Sequence, residues 1–194
     1  MKCYENEIAL RRVLNGSSGS LNGYHIHAKL ESLMVDSCQV KTPYVFNVGR
    51  DKSSKLTVAY RTSEPTHLPG EQEQTLSFEK GQSVAFVVRV LPYVNKTPKP
   101  GARGRREFIR DPMDRELRLL TLLERAGLDA ESCEELEQTT TNFTKPQGTP
   151  FKLRDVKFLV EATVTDPVAF EKAYVGGVGP KANFGYGMIQ LIKV

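Results

Sequence analysis

Near residue 83 the chain restarts a pattern of strands and helices that it has already run through once. The first pass opens on KCYENEIAL, a strand-type run that ends at Arg11 and Arg12. After the loop NGSSGS, Ser20 or Asn22 can cap a helix predicted to reach about residue 35. Ile26, Leu30, Leu33 and Met34 recur at i, i+4, i+7 and i+8, which places them on one apolar helix face. YVFNVG and KLTVAYRT are β-rich runs around a short polar loop and predict a hairpin. EPTHLPGEQ, marked by Pro and Gly, leads to a short strand, QTLSFE.

The second pass opens on SVAFVVRVLPYV, rich in valine and aromatic residues. KTPKPGARGRR reads as a basic loop, and PMDRELRLLTLLERAGL as a helix. Leu117, Leu120, Leu122, Leu123 and Ala126 are its expected buried stripe, with Gly127 ending it. TTTNFTKPQGTP is expected to be a polar loop, and FKLRDVKFLVEATVTD one long strand or a hairpin. DPVAFEKAY is a short helix with Asp166 as cap and Pro167 at its first position. The loop GGVGPKANFGYG and a last strand, MIQLIKV, complete it. The order β-α-β-β-α-β is that of a ferredoxin-like unit. The sequence therefore predicts an α+β fold of two tandem ferredoxin-like (RRM-like) domains, residues 1–82 and 83–194, the first with a degraded second helix. A length of 194 residues is enough for two such cores.

Several function classes are excluded early. No apolar run approaches the ~18 residues of a membrane span. The start, MKCYENEIALRRVL, is too charged for a secretory leader, so a cytoplasmic location is expected. Cys3, Cys38 and Cys133 are far apart and odd in number, which argues against a disulfide framework. Neither CxxC nor HExxH occurs, so no metal site is expected. A cysteine nucleophile stays open.

The net charge is only +4, but its distribution is uneven. Residues 80–106 hold no acid and seven bases: Lys80, Arg89, Lys96, Lys99, Arg103, Arg105 and Arg106. Residues 114–137, taken as an acidic helical segment, hold eight acids against Arg115, Arg118 and Arg125. Beyond Glu171 the only charges are Lys172, Lys181 and Lys193. A basic face suited to a polyanion follows.

Three features could carry chemistry. Gly176, Gly177, Gly179, Gly185 and Gly187 fall within twelve residues, around Lys181. A dinucleotide fingerprint must follow a strand and open a helix, and this loop does the reverse. One tight turn needs fewer glycines, so close backbone approach to a phosphate chain is expected, with Lys181 beside it. Tyr24 and His27, three apart on a helix, share a surface turned away from Ile26 and Leu30. His25 points elsewhere, and His67 sits in a Pro/Gly loop. The pair reads either as a solvated surface pair or as a general acid/base site, since imidazole titrates near neutral pH. Lys96, Lys99, Arg103, Arg105 and Arg106 form either a solubilising connector or a mobile phosphate clamp.

Together these residues resemble a known family. VKFLVEATVTDPVAFEKAYVGGVGPKANFGYGMIQLIKV is similar to the end of the CRISPR repeat-processing endoribonucleases of the RAMP superfamily, in particular the CasE (Cse) branch. That branch supplies the crRNA-maturation subunit of type I-E Cascade, and a close relative serving another CRISPR type fits as well. Its G[IV]GP-K-x-x-G-x-G loop matches Gly177, Val178, Gly179, Pro180 and Lys181, then Gly185 and Gly187. AFVVRVLP resembles the family's F-R-L-R-A-N-P segment through Arg89 and Pro92, and Gly104, Arg105 and Arg106 fill the place of its basic loop. YHIH matches its Tyr-x-x-His at Tyr24 and His27, and YVFNV its F-L-F-H-V strand. Some members carry a lysine near the position of Ser32, a role Lys29 or Lys181 would take here.

The resemblance implies a metal-independent endoribonuclease without a small-molecule cofactor. It would cut precursor crRNA at the 3′ base of the repeat stem by 2′-OH attack, and remain with the mature crRNA and other Cascade subunits. Tyr24 and His27 would be catalytic. Lys29, Arg89, Lys96, Lys99, Arg103, Arg105, Arg106, Gly177, Gly179, Lys181, Gly185 and Gly187 would bind RNA. The alternatives are a non-catalytic RNA-binding scaffold of the same superfamily and a small-molecule enzyme on a ferredoxin-like fold.

Overall fold

The computed structural model describes residues 1–13, 23–96, 104–144 and 147–192. The first sheet is antiparallel and contains β1 (Lys2–Ala9), β2 (Tyr44–Arg50), β3 (Leu56–Thr62) and β4 (Gln72–Thr75), in the order β2-β3-β1-β4. Between β1 and β2 lie α1 (Leu10–Val13), α2 (Gly23–Glu31) and a π-helical turn (Ser32–Ser37). The expected caps Ser20 and Asn22 lie outside the described residues. Ile26, Leu30 and Met34 are buried against Tyr44, Phe46, Val58 and Tyr60, as their spacing predicts. The hairpin β2-β3 turns around Asp51, whose carboxylate accepts hydrogen bonds from Ser53 N and Lys55 N at 2.8 and 2.9 Å.

No helix forms in residues 63–71, the degraded second helix of the first unit. Glu71 organises this stretch instead, accepting from Thr66 N at 2.8 Å and His67 N at 3.1 Å. The short strand lies earlier than expected, at Gln72–Thr75, and Leu76, directly after it, is buried in the second core.

The second sheet contains β5 (Ser83–Val90), β8 (Leu128–Phe143), β9 (Phe151–Val164) and β10 (Gln190–Leu191), in the order β10-β5-β9-β8. Both sheets thus follow the fourth-first-third-second strand order of a ferredoxin-like unit. A hairpin, β6 (Tyr93–Lys96) with β7 (Arg105–Phe108), is inserted after β5. Arg105 and Arg106 therefore stand on a strand rather than in a loop.

The acidic segment is not helical throughout. Only its first part is helix, α3 (Pro112–Arg125), and the rest belongs to β8. β8 runs on through Thr139, Thr140 and Thr141 to Phe143, where a polar loop was expected. Its acids lie along an edge strand that pairs with β9 over its length, and β-branched threonines favour that conformation. FKLRDVKFLVEATV is accordingly one strand, not a hairpin.

Asp111 caps α3 by accepting from Met113 N at 2.8 Å. Its buried stripe is Leu119, Leu122, Leu123 and Ala126, while Leu117 is 63% exposed. Arg115 occupies the core-facing position one turn earlier, where Glu135 accepts from its Nε and Nη2 at 2.8 and 3.0 Å. Asp166 caps α4 (Pro167–Gly176) as expected, accepting from Val168 N at 3.0 Å. Among the described residues, the last strand covers Gln190–Leu191. Among the described residues, no helix is long and apolar enough to cross a membrane.

Candidate active site

The two sheets meet where α2 faces the glycine-rich loop. Gly23 lets α2 approach β8, since a Cβ there would lie 2.6 Å from the Phe143 ring. With Ile26 and Leu30 turned into the first core, Tyr24 and His27 face the seam, half-buried, and His25 is exposed. The loop after α4 supplies the other wall through a short 3-10 turn (Ala182–Phe184). The Phe184 ring stacks on His27 with centroids 3.9 Å apart and 23° between planes. Tyr24 meets His27 edge-on at 6.1 Å. Lys181 Nζ stands 4.3 Å from the Phe184 centroid, a cation–π distance.

The backbone carbonyl of Asn183 lies 2.6 Å from His27 Nδ1. A carbonyl can only accept, so Nδ1 donates. In the neutral ring the lone pair is then on Nε2, the atom that can take up and release a proton. Sequence spacing puts Tyr24 and His27 on one surface; it carries no signal that this surface is a seam or that the glycine loop fixes the imidazole.

The glycines have neighbours within the protein. Gly187 has φ +81°, and a Cβ there would fall 2.2 Å from Val178 O. Val178 N also donates to Gly187 O at 2.8 Å, which closes the loop. Gly185 has φ +91°, with the Phe46 ring 3.0 Å from its would-be Cβ. Gly177 approaches Val45, and Gly179 approaches Leu122. The close backbone approach expected of this loop is thus made at these positions to the protein itself. Gly187→Ala should lower folding stability by about 2 kcal/mol or more through strain at positive φ and the clash with Val178. Gly176→Ala, whose Cβ would meet nothing within 4 Å, should be near neutral. Urea unfolding compares the two, and equal midpoints would contradict this reading.

A basic groove of about 530 Å³ lies beside the seam. Arg105, Arg106, Arg110, Lys152 and Arg154 line it, with Tyr93. The last three cations were missed in the sequence. Lys152 and Arg154 had a signal, since they alternate with Phe151 and Leu153 and so share the exposed face of β9. Tyr93 Oη accepts from Arg154 N at 2.8 Å, tying the hairpin to β9. One aromatic cluster joins groove and seam: it contains Tyr93, Phe151 and Phe143 as well as Phe184 and Tyr24.

The other sequence candidates have different surroundings. Arg89 is engaged internally: Asp155 accepts from its Nη1, Thr139 Oγ1 from the same nitrogen at 2.9 Å, and Glu137 from Nη2 at 2.8 Å. Asp155 is 1% exposed, and burial pushes its carboxyl up from the ordinary value while Arg89 pulls it down. Phosphate binding by Arg89 would have to compete with its pairing to that buried carboxylate. Lys96 is exposed and pairs with Glu107 at 3.1 Å, and Lys29 is exposed on α2. Lys99 and Arg103 lie outside the described residues. Burial raises the Cys3 thiol to about 12 and the Cys133 thiol to about 11, so neither supplies a thiolate nucleophile at neutral pH. Cys38 is also raised by burial.

Fold and site define a class: a tandem ferredoxin-like protein whose titratable pair lies at the seam between the two sheets. Solved structures share that fold. Cse3 of Thermus thermophilus, bound to an RNA representing a pre-cleavage complex, has a TM-score of 0.78 at 16% identity, with 100% of both chains covered. Cas6e of Escherichia coli K-12 has a TM-score of 0.70 at 17% identity, again over 100% of both chains. A chain of a CRISPR RNA-guided surveillance complex in a pre-nicking state has a TM-score of 0.70 at 16% identity, covering 98% of this chain and 100% of that one. No curated protein sequence matches the chain. The signature of the family described as CRISPR associated protein matches residues 7–193, and the chain belongs to that family.

Proposed function

We propose that this protein is a CRISPR repeat-processing endoribonuclease that cuts precursor crRNA at the 3′ base of the repeat stem. The observation that carries the reading is His27, held by Asn183 O with Nε2 as its proton-exchanging atom, beside a groove of five cations. The A-form stem lies along Arg105, Arg106, Arg110, Lys152 and Arg154, which neutralise its phosphates. The shared aromatic cluster sets the base of that stem next to Tyr24 and His27.

The 2′-OH attacks the adjacent phosphorus, forming the 2′-O–P bond and breaking the P–O5′ bond. One proton leaves the 2′-oxygen and one must reach the departing 5′-oxygen. His27 Nε2 carries out one of these transfers, and Tyr24 orients the imidazole or completes the transfer. Lys181, brought to the same aromatic stack, takes the place of the family's third residue and opposes charge on the phosphorane. The products are a 2′,3′-cyclic phosphate and a 5′-OH. The reaction proceeds without a metal ion or cofactor.

The relatives' settings support the partners: one is bound to RNA, and another belongs to a surveillance complex. On this reading the protein works in the cytoplasm, keeps its crRNA and joins other Cascade subunits, with residues 1–82 and 83–194 as its two domains. Incubation with a labelled repeat hairpin in EDTA tests this. Cleavage is expected. A mobility shift without cleavage would leave an RNA-binding scaffold, and neither result would leave a small-molecule enzyme.

A further inference from the structure

Arg61 is 3% exposed, on β3, and it reaches across to the second sheet's connections. Its Nη1 donates to Tyr174 O at 2.7 Å and to Ile189 O at 3.0 Å. Its guanidinium lies over the Tyr174 ring, 3.5 Å from the centroid, and its Nε is paired with Glu5 on β1. The two carbonyls bracket the glycine-rich loop: Tyr174 lies just before it on α4, and Ile189 just after it, ahead of β10. A single nitrogen thus ties both stems of the loop to the sheet on which α2 packs. Val45, paired with Arg61 in the sheet, is also the neighbour of Gly177 at the loop's start.

We propose that Arg61 is a positioning residue that clips the two stems of the glycine-rich loop to the first sheet, and thereby holds Asn183 O against His27 Nδ1. The role rests on the nuclease reading for its catalytic consequence, but not for its structural one. A guanidinium suits it because two N–H bonds of one nitrogen diverge toward two carbonyls while Nε serves Glu5. Lysine keeps the charge but not this planar fork. With the clip loosened, the loop shifts and Asn183 O leaves Nδ1, so the Nδ1–H tautomer of neutral His27 loses this acceptor.

The test compares wild type, Arg61→Lys and Glu5→Gln. Glu5→Gln weakens the partly buried ion pair and leaves both carbonyl acceptors of Arg61 in place. The first readout needs no RNA: nitrogen-15 NMR of the imidazoles, with His27 assigned by comparison with His27→Ala. Wild type and Glu5→Gln should show the Nδ1–H tautomer, and Arg61→Lys a mixture. The second readout is cleavage of the repeat hairpin. In Arg61→Lys, kcat should fall by about 10- to 100-fold with KM little changed, as expected for misplacement of a reacting group. An Arg61→Lys protein that keeps the single Nδ1–H tautomer and wild-type kcat would overturn the proposal. So would loss of its cooperative unfolding, which would make Arg61 structural only, or the same tautomer change in Glu5→Gln. If wild type does not cleave, the nuclease reading fails, and the tautomer comparison still decides whether Arg61 clips the loop.

Discussion

His27→Ala should reduce cleavage of a repeat hairpin at saturating RNA by about 10²–10⁴-fold, the usual contribution of one acid/base group. The side chain stacks on Phe184 and is fixed through Nδ1 by Asn183 O, so the ring is oriented before any RNA arrives. Removing it takes away the proton-exchanging Nε2 and leaves the groove cations in place, so RNA affinity should change little. His25→Ala should cleave like wild type, because His25 is exposed and outside the stack with Phe184. Single-turnover rates with purified protein decide between them. The opposite order of the two variants would mean that the seam is not where the phosphate reacts.

A second large effect is expected from the groove. Arg105, Arg106 and Lys152 are exposed, line the same cavity and stand on two different elements, β7 and β9. Changing all three to alanine should weaken hairpin binding by about 10- to 100-fold near physiological salt and flatten the slope of log K against log salt by about 2–3 units. The slope is the sharper readout, since it counts phosphates neutralised and is insensitive to small changes in fold. Cleavage at saturating RNA should survive far better than in His27→Ala, because these cations place the stem and take no part in proton transfer. A titration over several salt concentrations measures both quantities. An unchanged slope would mean that the stem lies elsewhere on the protein.

The sequence carries the parts of this molecule that depend on local chemistry. The Asp166–Pro167 start of α4 and the polar turn of the β2-β3 hairpin are local signals, and the structure follows them. The apolar spacing of Ile26, Leu30 and Met34 also works, because a helix face needs only its own periodicity. β8 is less readable. Its acids look helical by composition, and its strand conformation comes from pairing with β9, whose residues are distant in sequence. The α3 stripe shifts for a similar reason: Arg115 can be buried only because Glu135 on β8 receives it, while Leu117 is left outside.

The site divides along the same line. Tyr24 and His27 fall on one surface by helical spacing alone. That Asn183 and Phe184 complete their surroundings depends on two sheets meeting, which no window of sequence contains. Arg89 shows the converse. By type and place in a basic stretch it suits phosphate, yet Asp155 and Glu137, both far along the chain, engage its charge. The alternation along β9 puts Lys152 and Arg154 on its exposed face, but they become part of a groove only when the inserted hairpin leans on β9 through Tyr93.

The most direct test of 2′-OH attack at the Tyr24–His27 seam uses a repeat hairpin with one 2′-deoxy nucleotide on the 5′ side of the scissile phosphate. The wild-type protein, in EDTA, should bind this RNA as tightly as the all-ribose hairpin and leave it uncut. From the all-ribose RNA it should release one fragment ending in a 2′,3′-cyclic phosphate and one beginning with a 5′-OH, as read by mass spectrometry. Cutting of the deoxy-substituted hairpin at the same phosphate would show that water or another group, not the neighbouring 2′-oxygen, is the nucleophile, and would contradict the mechanism assigned to this site.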